Sequence, residues 1–244
     1  MRAPSAAELL DVWEDGFTRT SAQRAFALLV AIFPGVSRET LAALSIGQRD
    51  AELLRLREAL WGPRMAAVAA CPACGEKLEL ALDTREVLSD SNRANQGEMS
   101  VSVAEYDVTY RLPTTFDVVA AESEATPESA RSLILDRCVL SAQQGTIPVT
   151  SEQLPSEVVA GIARSMAEAD PLADIRVNLS CPACEHKWGA TFDIVSFLWT
   201  EIEAWAWRIL SEVHTLARAY GWPERDILAL SPTRRQFYLE MVGA

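Results

Sequence analysis

Four cysteines stand in two identical Cys-Pro-Ala-Cys turns, Cys71-Pro72-Ala73-Cys74 and Cys181-Pro182-Ala183-Cys184. A Cys-x-x-Cys turn aims two thiolates at one point, and its backbone N–H groups face the sulfurs and stabilise their charge. One such turn supplies half of a tetrahedral zinc site. Two supply a closed, four-thiolate structural centre of the zinc-ribbon kind. The spacing therefore predicts one structural Zn2+ held by Cys71, Cys74, Cys181 and Cys184, with iron the other metal that suits four thiolates. Such a site leaves no open coordination position for catalysis.

The other readings of these residues are weaker. A thioredoxin-like redox role would need each turn to open a helix in a βαβ setting, and neither does. Disulfides within the turns suit an oxidising compartment, which nothing here suggests. His186 could replace a thiolate, but two residues past Cys184 on a strand it reads as solvent-facing. Cys138, between Leu135 and Leu140, reads as a small buried residue.

The turns lie far apart: 106 residues separate Cys74 from Cys181, against about 15–20 in an ordinary ribbon. Loop closure grows logarithmically with length, so the longer loop costs only about 1.5 kcal/mol more, several times less than a structural zinc contributes. A ribbon split by a folded insert is physically reasonable.

The elements that position the turns follow from periodicity. Residues 1–63 read as a helical region, with starts at Ser5, Ser21, Ser37 and Ile46, and with Pro34-Gly35 and Gly62-Pro63 as stops. Residues 64–88 hold the first knuckle and a hairpin whose strand Lys77 to Asp83 alternates apolar and polar residues. The insert, 89–174, opens with a polar loop (89–97). It continues with a hairpin of 99–103 and 108–112 around a turn at 104–107, then helices over 116–122, 127–140 and 156–169. Residues 175–193 carry the second knuckle between short strands, and 194–244 are helical again. This is an α+β chain, mostly helical, with a small antiparallel β portion and a zinc-ribbon-like knuckle pair split by the insert. Along 194–220, Leu198, Ile202, Trp205, Ile209, Val213, Leu216 and Tyr220 form one stripe. Trp199 and Trp207 fall off it and read as exposed contact residues.

Composition narrows the function further. The hydrophobic share of 49% and charged share of 23% exclude wholesale disorder. Lys and Arg number 22 against 34 Asp and Glu, a net charge of −12, and no basic stripe forms near the knuckles. That argues against the alternative of a zinc-ribbon nucleic-acid-binding or transcription-related protein, because the chain would repel the phosphates it must grip. The longest apolar run, 25–34, is about half a membrane span. The first residues acquire Glu8, Asp11, Glu14 and Asp15 where a signal peptide needs apolar ones, so a cytoplasmic protein is expected. There is no phosphate-binding glycine loop, no GxSxG and no HExxH, so no enzyme is expected.

Several stretches together resemble the baseplate hub assembly chaperones of T-even-type contractile phages and their relatives in phage-tail-like contractile injection systems. They are Gly47-Gln48-Arg49-Asp50, the run Leu53 to Gly62 (LLRLREALWG), Cys71-Pro72-x-Cys74-Gly75, Tyr110-Arg111-Leu112-Pro113-Thr114, and Tyr220-Gly221-Trp222 with the residues through Ser231. The resemblance implies a non-enzymatic baseplate or hub protein whose partners are other tail proteins, with no catalytic residues to carry over. The metal site is inferred from cysteine spacing alone.

Overall fold

Side-chain caps set most of the helix starts. In the computed structural model, which describes residues 1–89 and 97–243, Ser5, Thr20, Ser45 and Thr126 each accept from the backbone three residues on, in reciprocal capping boxes. In chain order the elements are α1 (Ala6–Asp15), α2 (Ser21–Ile32), α3 (Arg38–Ala42), α4 (Ile46–Trp61), β1 (Arg64–Ala70), β2 (Lys77–Asp83) and α5 (Thr84–Leu88). Then come β3 (Met99–Val103), β4 (Tyr106–Tyr110), α6 (Thr115–Ala121), α7 (Pro127–Cys138), β5 (Val139–Gln144), β6 (Ile147–Pro148) and α8 (Ser156–Ala169). The chain closes with β7 (Arg176–Ser180), β8 (Lys187–Thr191), α9 (Ile194–Tyr220), α10 (Glu224–Leu228) and α11 (Pro232–Gly243). The fold is α+β, mostly helical, with small antiparallel sheets. Most of the polar loop expected over 89–97 lies outside the described residues.

The chain divides into two compact units: Met1–Pro34 with Val195–Ala244, and Gly35–Ile194. In the first, the helices bury Leu9, Leu10, Trp13, Leu28, Leu29, Leu198, Ile202 and Ile209. Gly16 is needed here, because a Cβ on it would lie 2.0 Å from the Trp199 ring. That approach buries Trp199, with the Arg24 guanidinium 4.6 Å from its ring centre. The expectation of an exposed Trp199 is thus corrected, since helical periodicity takes no account of a neighbouring glycine. Trp207 is exposed as expected. At the far end Val213, Leu216 and Ile227 form a small core capped by Trp222 and Tyr238, whose rings meet edge to face at 4.9 Å.

In the second unit, β3-β4-β5-β6 form an antiparallel sheet. Val108, Tyr110 and Ala142 from the sheet pack on Val158 and Ile162 of α8. Gly161 lets α8 sit close, because a Cβ there would be 2.5 Å from Val103. The turn of the first hairpin is shorter than expected, only Ala104-Glu105, with Val103 paired to Tyr106. Val139 and Leu140 do not extend α7 as expected. They begin β5, drawn into the ladder beside β4, where Arg111 N–H bonds the Cys138 carbonyl at 2.9 Å. A short apolar run fits either period, and pairing decides it.

The helix α4 roots both knuckle hairpins. At its C-terminal end it leads through Gly62 into β1, and Thr84, after β2, donates its hydroxyl to Glu58 of α4 at 2.8 Å. At its N-terminal end Gly47 N–H donates to Asp170 Oδ2 at 2.9 Å, just before the short 3-10 turn Pro171–Asp174 that leads into β7. A Cβ at Gly47 would lie 2.0 Å from Asp170 Oδ1.

Candidate metal centre

Each Cys-x-x-Cys turn closes an antiparallel hairpin, β1-β2 or β7-β8. The two are built by the same hydrogen bonds. Cys71 N–H donates to the Glu76 carbonyl at 2.8 Å and Gly75 N–H to the Cys71 carbonyl at 2.9 Å. In the second turn Cys181 N–H donates to the His186 carbonyl and Glu185 N–H to the Cys181 carbonyl, both at 2.9 Å. The chain reverses through a left-handed residue in both: Gly75 at φ 78° and Glu185 at φ 59°. The sequence thus repeats a small unit, and the local geometry repeats with it.

The two turns meet. Cys71 Sγ lies 3.7 Å from Cys184 Sγ, and Cys74 Sγ lies 3.6 Å from Cys181 Sγ. All four sulfurs lie within 4.8 Å of one another. A tetrahedron with zinc–sulfur bonds of about 2.3 Å has edges of about 3.8 Å, so the spacing fits such a metal. Cys71 and Cys181 are buried, Cys74 and Cys184 exposed, so the centre sits at a surface with one thiol of each turn on the protein side.

The electrostatics favour a cation. Burial pushes the Cys71 thiol up, but the N–H groups of Ala73 and Cys74 and the neighbouring thiols outweigh it and bring it down to about 7. The Glu76 N–H would lower Cys74, yet the crowding thiols of Cys184 and Cys181 drive it up to about 12. Four sulfurs so close cannot all ionise unaided, and a divalent cation removes that repulsion.

His186 is exposed, its ring stacked 6.0 Å from that of Trp188. Cys138 is fully buried at the end of α7, and burial raises its thiol to about 11. Among the described residues no other group of three or more His, Cys, Asp or Glu side chains converges.

Two polar clusters support the frame; Arg49, Asp50, Arg111 and Thr114 stood in the stretches that carry the family resemblance, but neither spacing nor period assigned them a structural role. Asp117, fully buried, accepts from Arg111 at 2.6 and 2.9 Å, Arg137 at 2.7 Å, and both the N–H and hydroxyl of Thr114 at 2.8 Å. Burial alone would raise its carboxyl; these donors hold it well below the usual carboxylate range. On α4, Arg49 and Asp50 form a buried ion pair at 2.7 Å. A pattern reading assigns charges to the wet face of a helix, so neither was visible.

The family described as T4 bacteriophage base plate protein matches residues 27–199, a span that contains both cysteine turns and the whole insert. No curated protein and no solved structure matches. No helix among the described residues is long and apolar enough to cross a membrane. With its family match covering well over half its length, the chain belongs to the T4 bacteriophage base plate protein family.

Proposed function

We propose that this baseplate protein is a non-enzymatic structural or assembly factor of the baseplate or hub of a contractile phage tail or contractile injection system, stapled by one Zn2+ on Cys71, Cys74, Cys181 and Cys184. The observation that carries the reading is the family match spanning both turns, together with the convergence of their four sulfurs. Its partners are other baseplate and hub proteins. It acts in the cytoplasm, where tails assemble, before or during incorporation into the particle. The metal is a fastener: it joins two hairpins that are each too small to be stable alone, and so fixes the ends of the insert against each other.

Two measurements test this. Elemental analysis of the purified chain is expected to give about one zinc per chain. Deletion of the gene is expected to abolish assembled tails while leaving the other tail proteins expressed, with co-purification of at least one baseplate protein. Intact tails in the deletion would overturn the assembly role. Zinc-free protein with four freely alkylated thiols would overturn the metal staple alone.

A further inference from the structure

The outer edge of β1 has no strand beside it among the described residues. We propose that it pairs antiparallel with β1 of a second copy of this chain, about a two-fold axis through Val68. Cys71 N–H bonds Glu76 at one end of the β1-β2 ladder, and Thr84 N–H bonds Pro63 at the other. With the register Ala67↔Leu80 and Ala69↔Leu78, these bonds fix the alternation. Met65, Ala67 and Ala69 turn their backbone groups toward β2. Ala66, Val68 and Ala70 turn theirs away from it. Those three residues are also the exposed ones, Val68 at 65%, and among the described residues no other strand borders β1.

An open edge is normally blunted by charge, proline or a bulge. Residues 65–70 (MAAVAA) contain no charge and no proline, and the one outward charge of β1, Arg64, stands at its far end. The matching strand of the other hairpin is polar where β1 is not: counting back from its first cysteine, Ser180, Asn178 and Arg176 take the outward positions held in β1 by Ala70, Val68 and Ala66. The two hairpins share one geometry, so the bare edge of β1 comes from sequence and not from the fold.

The occupant follows from symmetry. A two-fold pairing sets each residue of an edge against its own symmetry mate, which only an edge without like charges tolerates, and Ala66 to Ala70 are all small and uncharged. Antiparallel pairing about Val68 sets Val68 against itself and Ala66 against Ala70, all outward-facing residues. About six backbone hydrogen bonds then form with no charge opposed to like charge. Only small side chains meet, so the strands approach without hindrance. A five-residue pairing buries less than the roughly 1,200 Å2 of a stable interface, so the association is weak and concentration-dependent. The inference is independent of the baseplate reading.

The test is sedimentation equilibrium of the full chain from about 5 to about 500 µM, with backbone amide exchange followed at both ends of that range. The weight-average mass should climb from 26.8 kDa toward twice that value. The amides of Ala66, Val68 and Ala70 should slow at the high concentration, while those of Met65, Ala67 and Ala69, already bonded to β2, should not change. Val68 is exposed, so Val68→Lys and Val68→Glu should each fold, verified by circular dichroism, and each should weaken association at least about tenfold by opposing like charges. An equimolar mixture of the two variants should associate again. A single-chain mass throughout, dimerisation untouched by either variant, or a mixture that stays monomeric would each overturn the proposal. Protection of the edge amides only on adding another baseplate protein would also overturn it, assigning the edge to a foreign strand.

Discussion

The two knuckle hairpins share hydrogen bonds, handedness and four convergent sulfurs, yet differ in nearly everything around them. The first has seven-residue strands, a glycine at its left-handed position and a root tied by the Thr84 hydroxyl to Glu58. The second has five-residue strands, a glutamate at the same position and a root tied by a buried carboxylate, Asp170, to the Gly47 N–H. The turn geometry is therefore common to both hairpins where the four sulfurs converge. The roots and strand lengths are free to vary with the neighbours each hairpin has.

The strongest way to break the comparison is to remove one sulfur. Cys71→Ala and Cys181→Ala should each lose the metal and destabilise the chain by at least about 5 kcal/mol, equally for the two turns, because they share one site. Metal content and urea unfolding measure this, and unequal losses would mean that the turns bind separately. Next in size is the root of the second hairpin. Gly47→Ala places a methyl against Asp170 and should cost about 2–4 kcal/mol, read by thermal unfolding.

Acidity separates the roots further. Burial, only partly offset by Arg49 and reinforced by Asp193 and Asp170, raises the Asp50 carboxyl to about 6. A carboxyl raised on folding binds its proton more tightly in the native state. Its contribution to stability is therefore greatest at low pH, falls as pH rises between about 4 and 6, and stays low above that. Asp50→Asn should flatten that slope in unfolding curves measured across the window. The first root has the smaller expected loss: Thr84→Val should cost about 1 kcal/mol for one hydrogen bond, by the same unfolding assay. The smallest effects lie in the turns. Glu185→Gly should stabilise by about 0.5–1 kcal/mol by relieving a left-handed glutamate, and Gly75→Glu should cost a similar amount. Opposite signs for the two exchanges would confirm that only backbone freedom separates these turns.

Much of this was legible beforehand. The pairing of the cysteine turns across 106 residues followed from their chemistry, because half a tetrahedral site demands its other half. The long helix α9 followed from period, and so did most of its stripe: Leu198, Ile202, Ile209, Val213 and Leu216 are buried, but Trp205 is only half-buried and Tyr220, at the helix end, is exposed. What escaped depends on neighbours. Trp199 is buried only because Gly16 admits it. Arg49, Asp50 and Arg57 lie inside because α4 is surrounded, and no pattern along one helix reports what stands on its far side. Val139 and Leu140 join a sheet because β4 offers a free ladder, a fact that sits about 30 residues away in sequence.

The wide separation of the turns also has a consequence in time. Cys71 and Cys74 leave the ribosome about 5–20 s before Cys181, at ordinary rates of synthesis. During that interval the first thiol pair waits without its complement while the insert emerges and folds. The two thiol pairs can meet only after the second turn has emerged, and a folded insert favours that meeting by holding its two ends near each other. Any metal shared by all four sulfurs would therefore be captured after synthesis of the insert and not before it.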